Sequence, residues 1–122
     1  MGVSRSFPSP LTGEGQGGGY TSPVAEHAAV VNVSRYRPAP GKRSDLMAAM
    51  KRMAARATEA NGCFGAQACE SDQDREDLIA VSRWDSAQAL EAFSSAAASV
   101  AEQEHLKGLL AGQARRENLR PV

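Results

Sequence analysis

The feature that most constrains this chain is the run Val30-Val31-Asn32-Val33-Ser34-Arg35-Tyr36. It is rich in β-branched residues and is stopped by Pro38-Ala39-Pro40-Gly41, so residues 27–37 read as a strand. Side chains alternate along a strand. Val31 and Val33 therefore point away from Asn32, Ser34 and Tyr36, and both faces carry a reason to be covered. Helices can cover one face of a sheet, and a second subunit is the economical cover for the other.

The helices come from the segments that follow. Ser44 reads as an N-cap with Asp45 in the first turn, and Leu46, Met50, Met53 and Ala57 recur at helical spacing. Asn61-Gly62 ends that helix. Its methionine stripe is a core pattern rather than a metal or haem box. Residues 63–71 and 77–84 then flank the acidic stretch Asp72-Gln73-Asp74-Arg75-Glu76, which reads as a hairpin with a solvated tip. The tip lacks the glycine and distal glutamate of a calcium loop. Ser86 caps a helix with Leu90 and Phe93 on its inner side, residues 97–111 form another helix ended by Gly112, and residues 113–122 form a last strand. The order βαββ, a helical pair, then β is the split βαβ of an α+β, ferredoxin-like fold: an antiparallel sheet with helices on one face. A body of residues 24–122 is short of core when alone, which is a second argument for a homodimer through the sheet face.

Residues 1–23 differ from the body. They hold six of the eleven glycines and three of the six prolines, so they bury too little to offset their ordering entropy and read as a tail. Gly13, Gly15 and Gly18 fit a dinucleotide fingerprint, but no strand precedes them and Thr21-Ser22-Pro23 follows in place of a helix. Acids and bases balance at 14 each, and only Tyr36, Phe64, Trp84 and Phe93 are aromatic beyond the tail. These exclude a nucleic-acid platform. No apolar run nears the roughly 20 residues of a membrane span, and the opening MGVSRSF lacks the apolar stretch of a secretory signal, so a cytoplasmic protein is expected. Cys63 and Cys69 lie six residues apart on one strand, on the same side and too far apart to pair, and their spacing is not that of zinc ligands. No metal site is expected.

Three stretches then resemble one family. Val30-Val31-Asn32-Val33-Ser34-Arg35-Tyr36 with Pro40-Gly41-Lys42 resembles the first strand and turn of the antibiotic-biosynthesis monooxygenase domain. Asn61-Gly62-Cys63-Phe64-Gly65-Ala66 is similar to that family's PGC-x-G approach to its second strand, with asparagine replacing proline. Val81-Ser82-Arg83-Trp84-Asp85-Ser86-Ala87-Gln88-Ala89-Leu90 resembles its W-[ED]-S-x-x-A-L junction. The resemblance spans residues 27–121. It implies a dimeric α+β barrel and a cofactor-independent monooxygenase that oxidises a small phenol or hydroquinone to a quinone with dioxygen. Such a substrate supplies its own electrons, so the protein need only bind it, stabilise its anion and exclude water.

Carried over residue by residue, Trp84 matches the pocket tryptophan of polyketide-oxidising members, whose neighbouring asparagine and tyrosine are here Ala80 and Leu90. Trp84 is then either a donor to a developing anion or a core plug. For a haem-degrading branch, Ser34 stands in place of an asparagine, Phe93 in place of a tryptophan, and His105 falls about two residues past a histidine. The candidate set is Trp84 and His105 for catalysis, with Asn32, Ser34, Tyr36 and Phe93 for a small aromatic substrate. His105 is the one body histidine beyond the first strand, hence the obvious proton acceptor there, or else a solvated surface residue. Asn32 and Ser34 share a face that serves either substrate or local hydrogen bonds. Seven bases face two acids between residues 35 and 59, either a steering patch for an acidic phenol or a solvated face. The alternatives are a non-catalytic dimeric binding or sensing domain of the same fold, haem degradation, and isomerase or detoxification chemistry on a reactive metabolite.

Overall fold

The computed structural model describes residues 28–122. The expectations for residues 1–23, and for His27 at the start of the first strand, lie outside them. Seven elements follow in the order β1 (Val30–Tyr36), α1 (Arg43–Thr58), β2 (Cys63–Glu70), β3 (Leu78–Trp84), α2 (Ala87–Ser95), α3 (Ala97–Lys107) and β4 (Arg115–Leu119). The strands form one sheet in the order β2-β3-β1-β4, each neighbouring pair antiparallel. This is the ferredoxin-like α+β arrangement expected from the sequence.

Register decides which side chains meet. Val30, Asn32, Ser34 and Tyr36 of β1 stand opposite Trp84, Ser82, Ala80 and Leu78 of β3. Tyr36, Leu78 and Trp84 are buried, and Tyr36 and Leu78 join Leu46, Ala49 and Met50 of α1 and Leu106 and Leu109 in the core. Burying such side chains contributes about 1.5–3 kcal/mol each. The alternate residues, among them Val31, Val33, Ile79 and Val81, form the other face, which no helix or strand among the described residues covers. No helix among the described residues is long and apolar enough to cross a membrane.

Four local expectations are corrected. Ser44 is not the N-cap: α1 starts at Arg43, and Lys42 precedes it with no side-chain cap. The turn before it, in which the Lys42 amide donates to the Ala39 carbonyl at 2.9 Å and Gly41 takes φ +77°, already aims the chain along the helix. The helix expected over residues 97–111 ends at Lys107, with Gly108 at its C-cap. Leu109–Ala111 is drawn out to pair with the segment after β1, through Ala39 N–H to Leu109 carbonyl and Ala111 N–H to Arg37 carbonyl, both 2.8 Å. The last strand covers only Arg115–Leu119 of residues 113–122. A bulge between Cys63 and Gly65 places Cys63 opposite Trp84 and Cys69 opposite Ile79, so the two thiols point to opposite faces rather than one. Both cysteines are free, and burial pushes both thiols up.

Two junctions fix α2 over the sheet. The Ser86 hydroxyl accepts the Ala89 amide at 3.1 Å, the cap read from the sequence. Gly62, at φ +84°, lies so close that an added Cβ would stand 2.6 Å from the Ala89 Cβ and 2.7 Å from Asp85 Oδ1. Only glycine satisfies both the backbone angle and the space.

A candidate site between sheet and helices

The helix-facing side of the sheet is not filled to the end. Between it and the helices lies a cavity of about 90 Å³, partly open to solvent. Its floor is Asn32, Ser34 and Tyr36 of β1, Ala66 of β2, Ala80, Ser82 and Trp84 of β3, and Arg116 of β4. Its roof is Met50, Met53, Ala54 and Ala57 of α1, Leu90, Phe93 and Ser94 of α2, and Gln103 of α3. Gln67 and Val81 also border it, although their register sends their side chains to the opposite face.

Trp84 is fully buried, and its indole N–H donates to Ser82 Oγ at 2.8 Å. The indole proton is therefore engaged within the protein, and Trp84 does not offer it to a ligand. This donation leaves the Ser82 hydroxyl proton for an acceptor in the cavity, because an oxygen that accepts one hydrogen bond can still donate its own. The sequence reading missed Ser82. The signal was present in the two-residue spacing, which puts residues 82 and 84 on one face of β3.

Asn32 and Ser34 share the floor as expected, and part of their capacity is used locally. The Asn32 amide donates to Asn118 Oδ1 at 2.7 Å, and the Ser34 hydroxyl reaches Asn32 Oδ1 only at 3.5 Å, a weak contact. Ser34 is 4% exposed and Tyr36 is 3% exposed. Among the described residues the Tyr36 hydroxyl has no hydrogen-bond partner. Phe93 leans on Trp84 with ring centroids 5.4 Å apart, and its ring lies 4.9 Å beneath the Arg56 guanidinium. Arg56 in turn donates to the buried Ser99 hydroxyl at 3.0 Å, tying α1 to α3 above the roof.

His105 stands apart from this group. It is exposed near the end of α3 and does not line the cavity; Gln103, two residues earlier, does. Helical periodicity turns residues 103 and 105 in different directions. Most of the basic residues early in the body are engaged by other side chains. Arg35 and Arg37 bond the Asp77 carboxylate at 2.7 and 2.9 Å, Arg43 bonds Glu70 at 2.7 Å, and Arg52 bonds Glu102 at 3.2 Å. Arg37 and Arg35 hold the Asp77 carboxyl below the usual carboxylate range. Among the described residues no three His, Cys, Asp or Glu side chains come together as metal ligands.

The cavity is thus mostly apolar above, with Ser94 and Gln103 the polar exceptions, and carries hydroxyl, amide and guanidinium groups below; among the described residues no carboxylate, imidazole or thiol lines it. Such a surface binds a flat apolar body and satisfies oxygen acceptors at its edge. The sequence model for antibiotic biosynthesis monooxygenases matches residues 29–105, most of the described chain. The chain belongs to the antibiotic biosynthesis monooxygenase family. Solved structures agree on the fold. Rv0793 from Mycobacterium tuberculosis is 24% identical, with a TM-score of 0.71 over 76% of this chain and 94% of its own. A conserved protein from Methanosarcina mazei Go1 is 15% identical, with a TM-score of 0.75 over 81% and 98%. PA3566 from Pseudomonas aeruginosa is 16% identical, with a TM-score of 0.69 over 78% and 95%. A comparison with curated proteins found no match. At these identities the neighbours bear on the fold of this family member and not on its chemistry.

Proposed function

We propose that this family member is a monooxygenase that oxidises a single-ring phenol or hydroquinone to a quinone with dioxygen. The observation that carries this reading is the wall of the cavity: a mostly apolar roof over a floor of donors, with the Ser82 hydroxyl the one suited to a phenolate oxygen. The volume points to one ring. About 90 Å³ is below the roughly 150 Å³ that encloses a benzene molecule, so one ring fits with an edge in the open mouth.

The substrate supplies the electrons. A phenol takes one oxygen atom into the ring, yielding the quinone, while the other atom leaves as water. A hydroquinone instead gives up two electrons and two protons without taking up oxygen, an oxidase reaction in the same cavity in which dioxygen becomes hydrogen peroxide. Among the described residues the wall holds no carboxylate or imidazole to take the phenolic proton, so the proton goes to solvent through the mouth. The protein's part is to hold the phenolate oxygen against Ser82 and keep water from the ring face with Met50, Leu90 and Phe93. The working unit in this proposal is a homodimer closed over Val31, Val33, Ile79 and Val81, in a cytoplasmic setting where the free thiols stay reduced.

The test is oxygen uptake by the purified protein on a panel of monocyclic phenols and hydroquinones, with chelator present and with no added flavin or haem. Uptake is expected, and its rate should rise with pH along each substrate's own ionisation rather than along a histidine titration near 6.5. If no substrate consumes oxygen while ligands still change Trp84 fluorescence, the domain binds small molecules without turning them over. Activity that follows an enzyme group near neutral pH would sink the proton route.

A further inference from the structure

We infer that Arg116 makes this cavity selective for rings that carry an anionic substituent, such as a carboxylate, besides the oxidisable hydroxyl. The inference rests on the single-ring reading above and names the class within it. Arg116 pairs with Ser34 in the β1–β4 register, which sets it on the helix-facing side of the sheet with Asn32 and Asn118. It borders the cavity, and among the described residues it has no acid and no hydrogen-bond acceptor. That contrasts with Arg35, Arg37, Arg43 and Arg52, each of which holds a carboxylate. The neighbouring acid, Glu117, pairs with Val33 and so lies on the opposite face. Among the described residues no acid lines the cavity to repel a negative ligand.

A guanidinium keeps its charge at any working pH and prefers carboxylate geometry, so an exposed cation at the edge of the cavity is matched best by an anion that enters with the ligand. The position of the other donor argues the same way. Ser82 sits on β3 and Arg116 on β4, on either side of β1. Strands two places apart are separated by about 9–10 Å, and the two residues are also offset by two positions along β1, Ser82 facing Asn32 and Arg116 facing Ser34. A single ring whose hydroxyl and carboxylate stand meta to each other, as the 5-hydroxyl and carboxylate of 2,5-dihydroxybenzoate do, reaches between them through a hydrogen bond at each end and the long Arg116 side chain. Its hydroxyl would meet Ser82 and its anionic group Arg116. The family match ends at residue 105, so β4 and this arginine lie outside it.

Trp84 is the one tryptophan of the chain and lines the cavity, so its fluorescence reports occupancy without turnover. The experiment titrates hydroquinone and 2,5-dihydroxybenzoate into wild type, Arg116→Gln and Arg116→Lys at low and high salt. The carboxylated ring is expected to bind wild type about tenfold tighter. Arg116→Gln should abolish that preference, Arg116→Lys should retain part of it, and salt should shrink it. Equal affinity for the two rings, a preference that survives in Arg116→Gln, or no binding of the carboxylated ring would each overturn the inference. Oxygen uptake measured alongside keeps the two readings apart. Selective binding without uptake leaves Arg116 its role and removes the oxygenase reading, whereas uptake with equal affinities does the reverse.

Discussion

Trp84 and Ser82 carry the sharpest consequence of a single hydrogen bond. A tryptophan alone suggests a donor aimed at substrate; with its N–H on Ser82 Oγ, it becomes the group that orients the donor. Ser82→Ala leaves a fully buried indole N–H without a partner, which costs about 1–3 kcal/mol of stability. It also removes the hydroxyl from the cavity, worth on the order of a hundredfold in turnover if that group meets the developing anion. Trp84→Phe keeps most of the volume and leaves Ser82 in place, so it should cost under about 1.5 kcal/mol and less activity. Urea denaturation and initial rates on both variants decide between the two roles. The opposite order, with Trp84→Phe the more damaging to rate, would restore the indole as the working donor.

At the scale of elements, β1 and the β2–β3 hairpin are locked by one carboxylate. Asp77, just before β3, is buried and receives Arg35 from within β1 and Arg37 from just beyond it, while Arg37 also bonds Asp74 in the hairpin tip. The tip is itself folded, with the Ser71 hydroxyl accepting the Gln73 and Asp74 amides. Because the arginines hold the Asp77 pKa below its ordinary value, the pair contributes stability above the unfolded pKa of about 3.9, and that contribution is lost as pH falls through the lower folded value. Denaturation midpoints followed from pH 7 to pH 2 should therefore fall more steeply in wild type than in Asp77→Asn, with the difference confined below about pH 4. Parallel curves would mean that the two arginines contribute nothing measurable.

For the whole molecule, the uncovered sheet face decides what the working particle is. Val31, Val33, Ile79 and Val81 are only half buried within the chain, side by side at the centre of the sheet. A body of this size gains much by covering them, and a second copy presents the same face. Light scattering at micromolar concentration should give a dimer for wild type and a monomer for Val81→Asp, with circular dichroism confirming that the variant keeps its secondary structure. A monomeric wild type would overturn the dimer. An unchanged dimer in Val81→Asp would move the interface to the helices.

The sequence determined what short-range physics controls. Alternation in Val30–Tyr36 named β1 and its two faces, the spacing of Leu46, Met50, Met53 and Ala57 named the buried side of α1, and Ser86 named the start of α2, because each signal lies within a few residues of what it specifies. The floor residues Asn32, Ser34 and Tyr36 were legible for the same reason: they share a strand face. What required the tertiary structure depends on partners distant in sequence. Leu109–Ala111 left the helix because Arg37 and Ala39 offered backbone partners seventy residues earlier. The bulge at Cys63 turned the two thiols apart because β2 must follow β3 on one side and make room for α2 at Gly62 on the other. The register of β4 on β1 brought Arg116 to the cavity, while the roll of α3 kept His105 out of it. Local patterns assign elements and faces; only the pairing of remote elements decides which residues on those faces share a cavity.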